Sequence, residues 1–129
     1  MNWSSIFKFS ILHFVALTLL STFVTLLIGS DNLDKQSGQE FLVYFKLPSF
    51  IAGSIILGLF AKSQKTKTLL HLLITSAISS IIAIVIVSLL MGELFISPTW
   101  FIDLPLDLIS ILVAIFIGYY FRGIPKNAT

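Results

Sequence analysis

Apolar residues run along this chain in four long blocks, separated by short segments where charged, amide and turn residues collect. A helix needs about 20 apolar residues to cross a hydrocarbon core about 30 Å thick. The four blocks, at about residues 9–29, 42–61, 68–91 and 102–121, each meet that length. They predict four transmembrane helices and an all-α integral membrane bundle. No segment between them is long enough for a separate soluble unit, so residues 1–129 read as a single membrane domain. The first block follows one lysine, Lys8, and is longer than the roughly 7–15 apolar residues of a secretory signal. No A-x-A-like site comes after it, and it reads as a retained first helix.

Composition agrees with the pattern. Hydrophobic residues make up 57% of the chain and charged residues 11%, where a soluble domain carries about 25% charged. Mean hydropathy is +1.02. With so few polar residues, a soluble fold would leave large apolar patches in water.

The charges give an orientation. If there are four spans, Lys8, Lys62, Lys65, Lys67, Arg122 and Lys126 fall on one side of the membrane. The acids Asp31, Asp34, Glu40, Glu93, Asp103 and Asp107 fall on the other, accompanied only by Lys35 and Lys46. Basic residues near helix ends mark the cytoplasmic side, which predicts both termini inside. Trp3, Tyr44, Trp100, Tyr119 and Tyr120 lie near predicted span ends, at the headgroup level that amphipathic aromatics favour.

The two halves resemble one another. An offset of 58 residues pairs His13 with His71, Ser21 with Ser79 and Thr22 with Ser80, while an offset of 57 sets Leu47–Pro48 against Leu104–Pro105 and Lys46 against Asp103. Each half then reads as one helical hairpin, and the halves share orientation. Pro48 and Pro105 sit where a helix begins, because a missing first-turn N–H costs little there; a kink at Pro48 reconciles that start with the length of the second span.

Small and hydroxyl residues recur at helical spacing. Ser110, Ala114 and Gly118 lie four apart, Ser54 and Gly58 likewise, and Thr18, Ser21, Thr22 and Thr25 form one stripe. Thr75, Ser76, Ser79, Ser80 and Ala83 form another. In lipid, where apolar burial gives no drive between helices, such stripes are expected to be packing surfaces, with a hydroxyl-lined passage as the alternative.

Few residues can carry chemistry. Asp103 and Asp107 are one turn apart and share a helix face. They do not match signal peptidase II, whose two aspartates lie on different helices, because the third span here holds none. Asp107, the deeper acid, is the main candidate, since an ionisable group inside a span is costly and marks function by default. Lys46, at matching depth, is the expected ionic partner of Asp103 or Asp107. His13 and His71 are expected at similar depth on the first and third helices, where facing imidazoles are weak candidates for haem or metal. A metal site needs three or four ligands, and no carboxylate or cysteine is available on that side. No metal and no cofactor is expected.

The chain contains no cysteine, which excludes disulfides, thiolate catalysis and cysteine-bound clusters. Neither a phosphate-binding loop nor a nucleic-acid module is present. Three readings remain, of which a membrane enzyme or haem protein, resting on His13, His71 and the aspartates, comes last; the two ahead of it are non-enzymatic. The first is an accessory or interaction protein, for example an immunity-type protein acting in the bilayer of a cell's inner membrane. The alternative is a small oligomeric transporter or channel for a solute or lipid-linked substrate. The expected partners are lipid, further copies of the chain or another membrane protein. Toxin-immunity proteins and GtrA-like polyprenyl-glycan translocases share this size and four-span layout, and no motif selects either.

Overall fold

The computed structural model describes residues 2–35, 37–64, 66–96 and 98–123; Lys65 and Lys126 of the inner basic set lie outside that range. Four long helices dominate: α1 (Trp3–Ile28), α2 (Gly38–Ser63), α3 (Thr68–Met91) and α4 (Trp100–Gly123). All four are long and apolar enough to cross a membrane, and the described residues include no strand. The chain is a four-helix bundle of the kind its apolar blocks predict.

α1, α2 and α4 start earlier than their blocks, and for α1 and α2 the reason is a polar cap that lies outside the apolar run. The Asn2 side chain accepts from the Ser5 amide at 3.3 Å, so α1 begins at Trp3, six residues ahead of residue 9. At its far end Gly29 adopts φ 89°, a conformation open to glycine, and donates its N–H to the Thr25 carbonyl at 2.9 Å. The Ser37 hydroxyl accepts from the Glu40 amide at 3.1 Å and opens α2. Gly92, at φ 72°, ends α3 with a left-handed cap.

Pro48 lies in the first turn of the regular α-helical stretch Leu47–Ser63, though not at the start of α2 as a whole, and Pro105 does not start its helix. Pro105 sits inside α4, in its second turn, and α2 is already helical ten residues before Pro48. The turn before Pro48, Leu42–Lys46, is a π-helix, and the Leu47 amide bonds back to the Leu42 carbonyl. A wide turn there relieves the clash between a proline ring and the preceding turn, so the helix continues where a fresh start was expected.

Consecutive helices form two hairpins, α1–α2 and α3–α4. α2 and α4 run parallel and share the largest interface, α1 packs on α2 and α3, and α3 touches α4 only lightly. Asn2 N–H donates to His71 Nε2, and Gly118 lies against Ala61, so the start of α1 and the last turns of α4 meet the turn between α2 and α3 at one end of the bundle.

The two parallel pairs keep different registers. α2 meets α4 at offsets of 57 and 56 residues, through Lys46–Asp103 and Ser54–Ser110, close to the repeat in the sequence. α1 meets α3 at 65, 66 and 69, through Ser10–Thr75, His13–Ser79 and Asn2–His71. The first helices of the hairpins are thus shifted by about two turns from the 58-residue repeat.

Among the described residues, all buried ones cluster in the half of the bundle that holds the start of α1 and the end of α4, here called the inner half. The apolar core is Ile6, Leu57, Phe60, Ala61, Leu72, Ile111 and Ala114. Phe60 stacks on Phe9 with ring centroids 4.5 Å apart and meets His71 edge-on. Gly58 and Gly118 let α2 and α4 close: a Cβ on Gly58 would come within 2.9 Å of Ile117, and one on Gly118 within 2.6 Å of the Ala61 Cβ. No residue of α1 beyond His13, of α2 before Gly53, of α3 beyond Ser79 or of α4 before Ser110 is buried.

Candidate functional site

Above that core the outer halves of all four helices surround a cavity of about 920 Å³. Its lining begins at His13, Gly53, Ser79 and Ser110 and extends to Leu26, Phe41, Ile96 and Trp100 near the outer ends. Such a volume lies in the range that holds a drug-sized ligand.

His13 forms the floor. It is 7% exposed, its Nδ1 lies 2.8 Å from the Ser79 hydroxyl, and its Nε2 would be 3.1 Å from a Cβ on residue 53. A Cβ there would crowd the ring by a few tenths of an ångström, so Gly53 belongs to the floor with the imidazole. Beside it the Ser54 and Ser110 hydroxyls lie 3.0 Å apart and join α2 to α4.

The walls are mixed. Thr18, Ser21, Thr22 and Thr25 of α1 face the cavity, with Ser49 of α2 and Ser80 of α3. Thr22 donates to the Thr18 carbonyl and Thr25 to the Ser21 carbonyl, both at 2.8 Å, so these protons are satisfied within α1. Phe14, Phe45, Phe50 and Trp100 supply aromatic surface. The α1 stripe is therefore a cavity wall, where a packing surface was expected. The α3 stripe divides: Thr75, Ser76 and Ser79 are buried in the core, and Ser80 and Ala83 line the cavity.

Charge enters at the mouth. Lys46 Nζ lies 2.5 Å from Asp103 Oδ1 and 5.4 Å from the centre of the Phe41 ring. The other Asp103 oxygen accepts from the Thr99 hydroxyl at 3.2 Å. Asp107, one turn deeper, also lines the cavity; among the described residues it has no hydrogen bond and no ion pair within reach. The structure thus gathers Lys46, Asp103 and Asp107 at one site, with Lys46 committed to Asp103.

The histidines are not brought together. His71 lies at the inner end, where Nδ1 approaches the Lys67 carbonyl at 2.8 Å and Nε2 accepts from Asn2. The partner of His13, Ser79, lies eight residues beyond His71 on α3, about 12 Å further along it at 1.5 Å per residue. The α1–α3 register places the two rings at different depths, so they do not form the facing pair that the sequence repeat suggested. Among the described residues no three His, Asp or Glu side chains are grouped to hold a metal. Of the packing residues, Ser54, Gly58, Ser110, Ala114 and Gly118 all lie in the inner half and close α2 against α4.

Reading the sequence missed the cavity itself and the role of Gly53. A signal was present: the small residues of α2 and α4 cluster from Gly53 and Ser110 inward, whereas Phe41, Phe45, Phe50 and Trp100 occupy the outer turns. Bulky rings there hold backbones apart. The chain matches no protein-family model, and no curated protein or solved structure is significantly similar to it.

Proposed function

We propose that this chain is a small, non-enzymatic transport protein of a cell's inner membrane, with both termini in the cytoplasm, that takes a solute into the outer cavity and releases it inward. The observation that carries this reading is the cavity of about 920 Å³ standing directly on a closed inner core. A carrier alternates access about a central site, and a cavity in one half above a packed other half has the form of one such state. The floor lies near mid-bundle, where transported substrates bind. The outer position of the cavity follows from the excess of lysine and arginine on the opposite side. The inner half would part where α3 meets α2 and α4, its two lightest contacts. Association with further copies of the chain in the membrane belongs to this proposal.

The natural absence of cysteine allows a test that needs no known substrate. Ser80→Cys, in the cavity wall, is reacted in oriented vesicles with a charged, membrane-impermeant thiosulfonate added from either face. Carriage predicts modification from both faces. Modification from the outer face alone would reject carriage and return the chain to the interaction-protein reading, with the cavity as a docking recess. No modification from either face would reject a water-accessible cavity altogether.

A further inference from the structure

Three charged side chains line the cavity: Lys46, Asp103 and Asp107. With both acids ionised the site carries one net negative charge, and the geometry decides which residue holds it. Lys46 is bound to Asp103, and the second Asp103 oxygen is bound to Thr99. Asp107 has no such partner among the described residues, although it is about one turn inside the span. An ionised group held that way is costly until a counter-charge arrives.

The walls favour a particular counter-charge. Phe14, Phe45, Phe50 and Trp100 line the same space, and aromatic faces attract cations as well as apolar surface. A phosphate or carboxylate ligand would find its one cation, Lys46, already neutralised and a carboxylate beside it. A neutral solute would leave Asp107 unpaired. We propose that the cavity binds amphipathic organic cations, with the carboxylate of Asp107 as their counter-charge and the aromatic walls holding their apolar part. This rests on the reading of the cavity as a solute site and adds the chemical class of the solute.

Two probes of the same size and opposite charge test it: tetraphenylphosphonium and tetraphenylborate, titrated calorimetrically into the purified full chain in detergent. The phosphonium is expected to bind at least about tenfold more tightly than the borate, and Asp107→Asn to weaken it by about tenfold or more. Asp107→Glu, which keeps the charge, retains binding. Equal binding of the two ions, phosphonium binding unchanged in Asp107→Asn, or no phosphonium binding would each overturn the proposal. Should Asp107→Asn fail to fold, the ion pair of probes still decides it on the native chain. The two readings fail separately: Ser80→Cys labelled from both faces with no preference for the phosphonium sinks only the cation class, whereas phosphonium binding with labelling from one face sinks only carriage.

Discussion

The inner and outer halves of this bundle are built from the same helices and differ in what those helices present to one another. In the inner half glycine, alanine and serine face each other across α2 and α4, and Phe60 and Leu72 fill the space beside them. In the outer half phenylalanines and hydroxyls face a void, and a single ion pair at its mouth links α2 to α4. Lipid gives helices no hydrophobic reason to associate, so close contact depends on side chains small enough to permit it. The difference teaches that residue size, more than polarity, decides which half closes. Serine occurs in both halves: Ser54 is buried at a helix contact and Ser80 is exposed in a cavity.

If small residues close the inner half, enlarging one of them should have the largest effect on the fold. Gly118→Leu places a side chain where even a Cβ lies 2.6 Å from the Ala61 Cβ and 3.0 Å from the α2 backbone. The helices must separate, and the expected loss is about 3 kcal/mol or more, read by titrating unfolding in mixed micelles. A tolerated leucine would mean that the inner half is not closed by small residues.

The second prediction concerns the one ion pair among the described residues. Lys46→Met leaves the Asp103 carboxylate partly buried without its cation, at an expected cost of about 2 kcal/mol. Adding Asp103→Asn removes the stranded charge and should restore about half of that. A double variant that costs the sum of the two single ones would show that the pair is not coupled.

The sequence revealed the number of spans and their order, because those depend on local hydropathy. It also revealed the small residues of α2 and α4, since four-residue spacing puts Ser110, Ala114 and Gly118 on one face whatever lies opposite. Register was hidden. Repeat matching aligned His13 with His71, and the structure pairs His13 with Ser79 instead, because the contacts of Ser10 and Asn2 shift α1 along α3. The cavity was hidden for a related reason: whether Thr22 packs or lines a void depends on its neighbours across the bundle, and nothing in its own helix records them. Lys46, Asp103 and Asp107 were found because charge in an apolar block stands out before any packing is known.

A smaller effect is expected at the boundary between the halves. Ser54→Ala removes the hydroxyl contact with Ser110, and hydrogen bonds between membrane helices contribute about 0.6 kcal/mol on average. The same unfolding titration should show a loss of that order, with Ser110→Ala alike and the double variant no worse than either. A loss several times larger would mean that the boundary is held by polar contacts, contrary to a bundle closed by size.

The smallest expected effect on stability comes with the largest change in volume. Ala83→Trp adds an indole to the cavity wall, where the space to receive it is already open and no buried contact is displaced. Stability should therefore change by less than about 0.5 kcal/mol, as for substitutions away from packed features. The variant should still block labelling of Ser49→Cys, on the facing helix, by an impermeant thiosulfonate. Set beside Gly118→Leu, it separates fold from site: a bulky residue in the inner half unfolds the protein, and one in the outer half leaves it folded and closed to solutes. If Ala83→Trp is as damaging as Gly118→Leu, the outer helices are packed against one another in the membrane, and the cavity does not exist there.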